Sequence, residues 1–250
     1  MTASAGTLLL LRHGQSVANA QGLFTGVTDS PLSTIGIREA QRAALMIEEA
    51  GFSDLIVYTS ELSRAKDTAA IIAQSVRTRP VTADWRLNER NYGALTGQTK
   101  TQVMRAVGPE QFRAWRRSVS TQPPPMSAEL HATLAAAEPF HSLPPAALTR
   151  TESLRDVQQR VLDVLTERIV PDLAAGATVL VVAHGNSLRA LCGVLDELDD
   201  DSLERLNIPT GQPLLYRFTT DCRPDLPGGH YLDEPTALHA AAVLASEGGT

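Results

Sequence analysis

The strongest constraint on this chain is the uninterrupted apolar run Leu8-Leu9-Leu10-Leu11, which passes directly into Arg12-His13-Gly14-Gln15-Ser16. Such a run is too short to cross a membrane and lacks the alternation of a half-exposed strand, so it predicts a strand buried on both faces of a covered sheet. The polar exit of that strand lies where open α/β sheets bind their ligands. Taken alone, Arg-His-Gly has two readings: a reactive histidine beside a guanidinium, or a strand-end histidine followed by a turn glycine.

The second half of the chain repeats the pattern. Thr178 to Ala183 is another apolar strand, and it ends in His184-Gly185-Asn186. In a parallel sheet, two such strands deliver both histidines to one crevice. Further strands are predicted at Leu55–Tyr58, running into Thr59-Ser60, at Val81 to Leu87, and last at Leu214–Phe218. Apolar residues at helical spacing fall between them. One set, capped by Ser33, runs from Ile37 to Ile47 and stops at Gly51; another, Leu62 to Val76, carries Arg64 near its start. A third runs from Leu154 to Ile169, with Ser153 and Asp156 as a capping box and Pro171 as its end, and a fourth from Ser187 to about Leu195. This order predicts an α/β fold of three layers: a mainly parallel central sheet with helices on both faces, in a single domain spanning 1–250.

Two stretches depart from the alternation. Residues 19–31 are polar and glycine-bearing and read as a loop. Residues 88–150 hold a turn-rich start, a basic knot at Arg113-Ala114-Trp115-Arg116-Arg117 and three consecutive prolines, Pro123 to Pro125. They are expected to be an irregular insertion forming a lid or substrate wall over the sheet. The alanine-rich tail, about 233–250, is expected to be mobile.

Net charge is −6 with no block of Lys or Arg, which argues against nucleic acid or an anionic membrane as partner. Positive charge for an anionic substrate must then be concentrated locally. The two cysteines, Cys192 and Cys222, form no CxxC pair and have no histidine at metal spacing; no disulfide framework or zinc site is expected. With no signal-like segment and no membrane-length run, the expected location is the cytoplasm.

Two histidines with Arg12 and Arg64 suit a phosphate group, since guanidinium forks bind its oxygens in pairs and stay charged. The arginines would keep His13 neutral and nucleophilic, so that attack on phosphorus yields a phosphohistidine. His184, the arginines and backbone amides at Gly14 and at the start of the Ser187 helix would hold the oxygens in transfer, with no metal required. Glu89 is the best candidate for the proton carrier: a dianion beside it favours its protonated form, whereas Arg90, if it faced inward, would oppose this.

These motifs, taken in order, resemble the histidine phosphatase superfamily. Leu11 to Ser16 and Ala183 to Ser187 carry that resemblance. Asn19, Phe24-Thr25-Gly26, Tyr58-Thr59-Ser60, Leu87-Asn88-Glu89-Arg90, Tyr92 to Gly97, Lys100, Trp115-Arg116-Arg117 and Asn207 to Gly211 narrow it to the branch of 2,3-bisphosphoglycerate-dependent phosphoglycerate mutases. The resemblance runs from about Leu8 to Phe218. It implies interconversion of 3-phosphoglycerate and 2-phosphoglycerate in glycolysis and gluconeogenesis, with 2,3-bisphosphoglycerate as priming phosphate donor, no metal, and a homo-oligomer, dimer or tetramer. It implies that His13 is phosphorylated and that Glu89 moves the proton. Arg12, Arg64, His184 and the Gly185 amide would hold the phosphoryl group, supported by Asn19 and Asn186. Thr25, Gly26, Tyr92, Lys100, Arg116 and Arg117 would bind the other anionic end of the substrate. The competing reading of Arg116-Arg117 is a surface pair of which at most one points inward. A phosphatase on the same scaffold is the alternative function. The chain departs from this branch at Asn91, where histidine is usual, and across residues 127–150, which lack its Tyr-Pro and Asp-Pro-Arg-Tyr elements.

Overall fold

Leu8 to Leu11 are fully buried in strand β1 (Ser4–Arg12), and successive side chains enter opposite cores. This is the period-two geometry of a strand covered on both faces, and each buried leucine contributes about 2 kcal/mol of transfer free energy. The computed structural model describes residues 4–246. After β1 come α1 (Val17–Ala20), α2 (Thr34–Glu49), β2 (Ile56–Thr59), α3 (Ser63–Ile72), β3 (Thr82–Ala83), α4 (Lys100–Arg117) and α5 (Ala128–Ala135). The second half adds α6 (Leu154–Val164), α7 (Val170–Ala174), β4 (Thr178–Ala183), α8 (Gly185–Leu195), α9 (Asp200–Arg205), β5 (Leu214–Thr219), β6 (His230–Tyr231) and α10 (Glu234–Ser246).

The strands form one six-stranded sheet in the order β3-β2-β4-β1-β5-β6. Strands β3, β2, β4 and β1 are mutually parallel, while β5 and β6 extend the sheet antiparallel. Leu8, Leu10, Val179 and Val181 pack against α6, α7 and α8; Leu9, Leu11, Leu180 and Val182 pack against α2 and α3. The expected three-layer α/β fold with a mainly parallel sheet is therefore present. Direct pairing of β1 with β4, Arg12 opposite Ala183, brings the two His-Gly segments side by side.

Several local expectations are corrected. The strand read over Val81 to Leu87 is confined to Thr82–Ala83, because the Asp84 side chain accepts the Arg86 N–H and turns Trp85–Leu87 into a 3₁₀ turn. Pro171 does not end its helix. A π turn at Leu165–Ile169 widens the ladder, Val170 N–H reaching back to the Leu165 carbonyl, and the chain continues helical through α7. β5 is not the last strand, since the two-residue β6 follows it.

The insertion is largely helical. α4 begins at a capping box between Thr99 and Gln102 and is broken at Gly108 (φ 80°) beside Pro109, which hides its length from any search for continuous periodicity. Met126, Phe140, Ala147 and Leu148 pack with Val27 and Leu62 from the core domain, fastening the insertion over the carboxyl edge of the sheet. The tail contains α10, with Ala237 buried; its end, including Gly248-Gly249, lies outside the described residues. No helix among the described residues is long and apolar enough to cross a membrane.

Candidate active site

His13 leaves β1 almost completely buried, and both ring nitrogens are committed. Nδ1 lies 2.7 Å from the Gly14 carbonyl and Nε2 lies 3.2 Å from Arg64 Nε. A carbonyl only accepts and a guanidinium only donates, so Nδ1 carries the proton and Nε2 presents its lone pair. Burial, then the charges of Arg64 and Arg12, push the imidazole pKa well below its ordinary value. The result is a neutral imidazole whose Nε2 carries the nucleophilic lone pair, held by the Arg64 N–H until that hydrogen bond is exchanged for phosphorus.

His184 stands edge-on to His13, with ring centroids 4.8 Å apart. The Ser60 hydroxyl accepts the Leu62 N–H and lies 2.7 Å from His184 Nε2. The hydroxyl keeps both its proton and a second lone pair, so it can pair with Nε2 in either tautomer of the ring, while Nδ1 is a buried atom without a partner in the chain. Burial, followed by Arg64, His13 and Arg12, keeps this ring neutral as well.

Arg64 is held by its surroundings. Its Nη1 and Nη2 donate to the carbonyls of Thr28 and Gly26, and Asp29 accepts from both the backbone and side chain of Ser63 at the start of α3. Arg12 Nη1 donates to the Ile208 carbonyl, and the Gly211 N–H returns to the Arg12 carbonyl, so the 208–211 segment braces this side chain. Burial lowers both guanidinium pKa values, Arg64 to about 10, which leaves both charged near neutral pH.

These groups open into a cleft lined by Arg12, His13, Asn19, Leu23, Phe24, Thr25, Gly26, Arg64, Glu89, Tyr92, Lys100, Arg116 and Asn186. Four cations face one carboxylate there, in a chain whose net charge is −6. Arg12 Nε and Thr25 Oγ1 are, like His184 Nδ1, buried polar atoms without a partner in the chain. Such orphans are costly unless an acceptor joins them, and an oxyanion supplies several. Lys100 and Arg116 come from opposite ends of α4, so the insertion contributes positive charge to the wall. Among the described residues no cluster of His, Cys, Asp and Glu is placed to hold a metal ion.

Asn186 links the two halves. Its N–H donates to Glu89 Oε1 (3.2 Å), its amide nitrogen to the Tyr92 hydroxyl (3.0 Å), and its oxygen accepts from the buried Arg189 (3.0 Å). Glu89 Oε1 also accepts the Arg90 N–H at 2.7 Å.

Residues 8–223 match the histidine phosphatase superfamily (branch 1). The chain belongs to that superfamily. It is 48% identical to a 2,3-bisphosphoglycerate-dependent phosphoglycerate mutase of Thermobifida fusca (strain YX), over 97% of this chain and 99% of that protein. It is 44% identical over the full length of both chains to the one from Corynebacterium efficiens. Among solved structures, a mycobacterial glucosyl-3-phosphoglycerate phosphatase superposes with a TM-score of 0.66 at 23% identity, covering 90% of this chain and 99% of that one. The alpha-ribazole phosphatase from Shigella flexneri gives 0.64 at 22%, covering 89% and 96%. At such identities the structures share the fold.

Against this superfamily background, some placements differ from expectation. The Gly14 amide donates to Thr68 Oγ1 and the Asn186 amide to Glu89, so neither is a spare donor for the cleft. Gly14 is glycine because of close approach: a Cβ there would meet the Gly36 carbonyl oxygen at 2.1 Å. Arg117 does not line the cleft; it donates to the Glu204 and Leu206 carbonyls and to Asn207 Oδ1. Arg90 is directed at the carbonyls of Glu152 and Trp115, not into the cleft. His184 packs its buried ring against His13, and neither it nor the buried Gly185 is among the residues lining the cleft.

Sequence reasoning gave no role to Ser60, Thr68, Glu152, Arg160 or Arg189. Ser60 was recoverable, because it leaves β2 at the same sheet edge as the two histidines. The others come from helices and loops whose facing depends on packing.

The buried imidazoles make a linkage prediction. Unfolded histidine titrates near about 6.5, and both folded-state pKa values lie lower, so the unfolded chain binds more protons below that pH. Stability is expected to fall as pH drops through about 6.5, by about 1.4 kcal/mol per pH unit for each histidine, until the folded-state pKa is reached. Urea unfolding between pH 7 and 5 checks this. His184→Asn should flatten the dependence, and an unchanged slope in that variant would refute the assignment.

Proposed function

We propose that this chain interconverts 3-phosphoglycerate and 2-phosphoglycerate as a 2,3-bisphosphoglycerate-dependent mutase, with His13 as the residue phosphorylated. The observation that carries the reading is the second cationic wall. Lys100 and Arg116 face the same cleft as the His13, Arg12 and Arg64 cluster, which suits a substrate anionic at both ends. A simple phosphatase needs only one such end. The names of relatives 44–48% identical over nearly the whole chain support it.

Bound 2,3-bisphosphoglycerate supplies the phosphoryl group that primes His13, and the unpartnered donors of Arg12 and Thr25 fit such an anion. In the forward step, a substrate hydroxyl oxygen attacks the phosphorus of phospho-His13 while the Glu89 carboxylate takes its proton; the N–P bond breaks and Nε2 regains its lone pair. In the return step, Nε2 attacks the other phosphoryl group and Glu89 gives the proton to the departing oxygen. Arg12, Arg64 and His184 stabilise the equatorial oxygens throughout. Asn19, Asn186 and the Gly185 amide support the transferring group, and Thr25, Gly26 and Tyr92 line the far end with Lys100 and Arg116.

A cytoplasmic homo-oligomer, dimer or tetramer, follows from the resemblance and is read by light scattering on the same preparation; a monomer would overturn that part. The decisive assay incubates the protein with 3-phosphoglycerate, with and without 2,3-bisphosphoglycerate, following 2-phosphoglycerate and free phosphate together. Isomer formation dependent on the primer is expected. Free phosphate outpacing the isomer would assign the chain to the phosphatases instead.

A further inference from the structure

Glu89 occupies a segment without regular structure: residues 89–92 lie between the 3₁₀ turns Trp85–Leu87 and Gly93–Leu95. No helix or sheet ladder fixes its backbone. A proton carrier in such a segment must be held by something else, since misplacement by about 1 Å costs on the order of 100-fold in rate.

Arg160, buried on α6, spends all five of its N–H donors around this segment. Nη1 donates to the carbonyls of Arg86 (2.7 Å) and Asn88 (2.8 Å), and Nη2 to the carbonyl of Glu89 itself (3.2 Å). The two remaining donors go to Glu152, Nε to Oε1 at 2.9 Å and Nη2 to Oε2 at 3.1 Å. Glu152 holds the other side. Its Oε2 accepts the Asn91 N–H (2.8 Å), its own N–H donates to the Asn91 carbonyl (3.0 Å), and its carbonyl accepts from Arg90 Nε (3.0 Å). Glu89 is thus bracketed, residues 86–89 by the arginine and residues 90 and 91 by the glutamate.

We propose that the buried Arg160–Glu152 pair is the positioning device for Glu89, setting the carboxylate toward the reacting oxygen. The proposal rests on the functional reading above for the role of Glu89. A buried ion pair is a poor source of net stability, because desolvating both charges offsets most of their attraction, whereas its directional bonds fix a geometry. Only a guanidinium presents five donors in one plane; a lysine ammonium offers three from a single point. Neither residue lines the cleft, so both act through Glu89.

Positioning of a general acid and plain structural support predict different outcomes when the leaving group is varied. An alkoxide leaving 2,3-bisphosphoglycerate needs a proton from Glu89, whereas p-nitrophenolate departs without one. The test measures single-turnover phosphorylation of His13 by each donor in wild type, Arg160→Lys and Glu152→Gln, with thermal unfolding followed in parallel. Both variants avoid leaving a lone buried charge opposite an apolar residue. The lysine variant is expected to lose about 100-fold with bisphosphoglycerate and no more than about threefold with p-nitrophenyl phosphate, with the glutamine variant changing the ratio in the same direction. Should one variant fail to fold, the other decides. Rates that fall in parallel for both donors, or fall for neither, overturn the proposal. Mutase turnover of the wild type is read alongside: its absence would defeat the functional reading while leaving the donor ratio measurable, with glycerol phosphate as a second alkyl donor.

Discussion

Replacing His13 by alanine is expected to lower mutase turnover by at least about 10⁴-fold, with no phosphorylated protein formed from 2,3-bisphosphoglycerate. The nucleophile cannot be supplied by a neighbour. His184 is the nearest imidazole, but its ring is completely buried and does not line the cleft, and its Nε2 lies 2.7 Å from the Ser60 hydroxyl. Loss of the side chain also leaves Arg64 Nε without its acceptor, so a modest destabilisation should accompany the loss of activity. Acid-labile labelling of the protein, read beside steady-state turnover, checks both halves. Turnover that survives, or label that persists on another histidine, would defeat the assignment of His13.

The second large effect is expected from Glu89→Gln: a fall in kcat of about 10²- to 10⁴-fold with KM within about threefold. The substitution preserves shape. A glutamine oxygen can still accept the Arg90 and Asn186 N–H groups, so the loop keeps its anchor. What is lost is the ability to take and return a proton. The change should therefore fall on the chemical step and remove one limb of the pH–rate profile. A loss confined to KM, or smaller than about tenfold, would show that another group carries the proton.

The two predictions differ in how directly the sequence leads to them. His13 and His184 were legible because strand burial is a local property. Unbroken apolar runs forced Leu8 to Leu11 and Val179 to Ala183 into the interior, and parallel pairing placed their exits together. Arg64 was legible for a related reason, sitting in the first turn of a helix that leaves the neighbouring strand. The insertion was misread as irregular because the break at Gly108 and Pro109 splits Lys100–Arg117 into two short helical pieces that a search for unbroken periodicity does not find. Pro171 was misread because a π turn absorbed the lost hydrogen bond, an adjustment no local propensity reports.

Adjacent residues show the limit most clearly. Arg116 and Arg117 are chemically identical and next to each other, yet one lines the cleft and the other binds carbonyls of the 204–206 segment. Successive helical positions point about 100° apart, so only the packing of α4 decides which faces the substrate. Arg160 and Glu152 drew no reading from the sequence: one falls within α6 and the other directly before its cap residue, Ser153. Their convergence on the backbone of residues 86–91 exists only once α6 is docked against the sheet.

The sequence by itself determined the sheet, its two histidine-bearing exits and the reaction class, since apolar runs and the charge of nearby side chains are fixed by residue type. Tertiary structure alone decided which tautomer His13 holds, which of two arginines faces the cleft, and what holds the proton carrier in place. Those depend on hydrogen-bond partners distant in sequence, and distance in sequence carries no direction until the chain is packed.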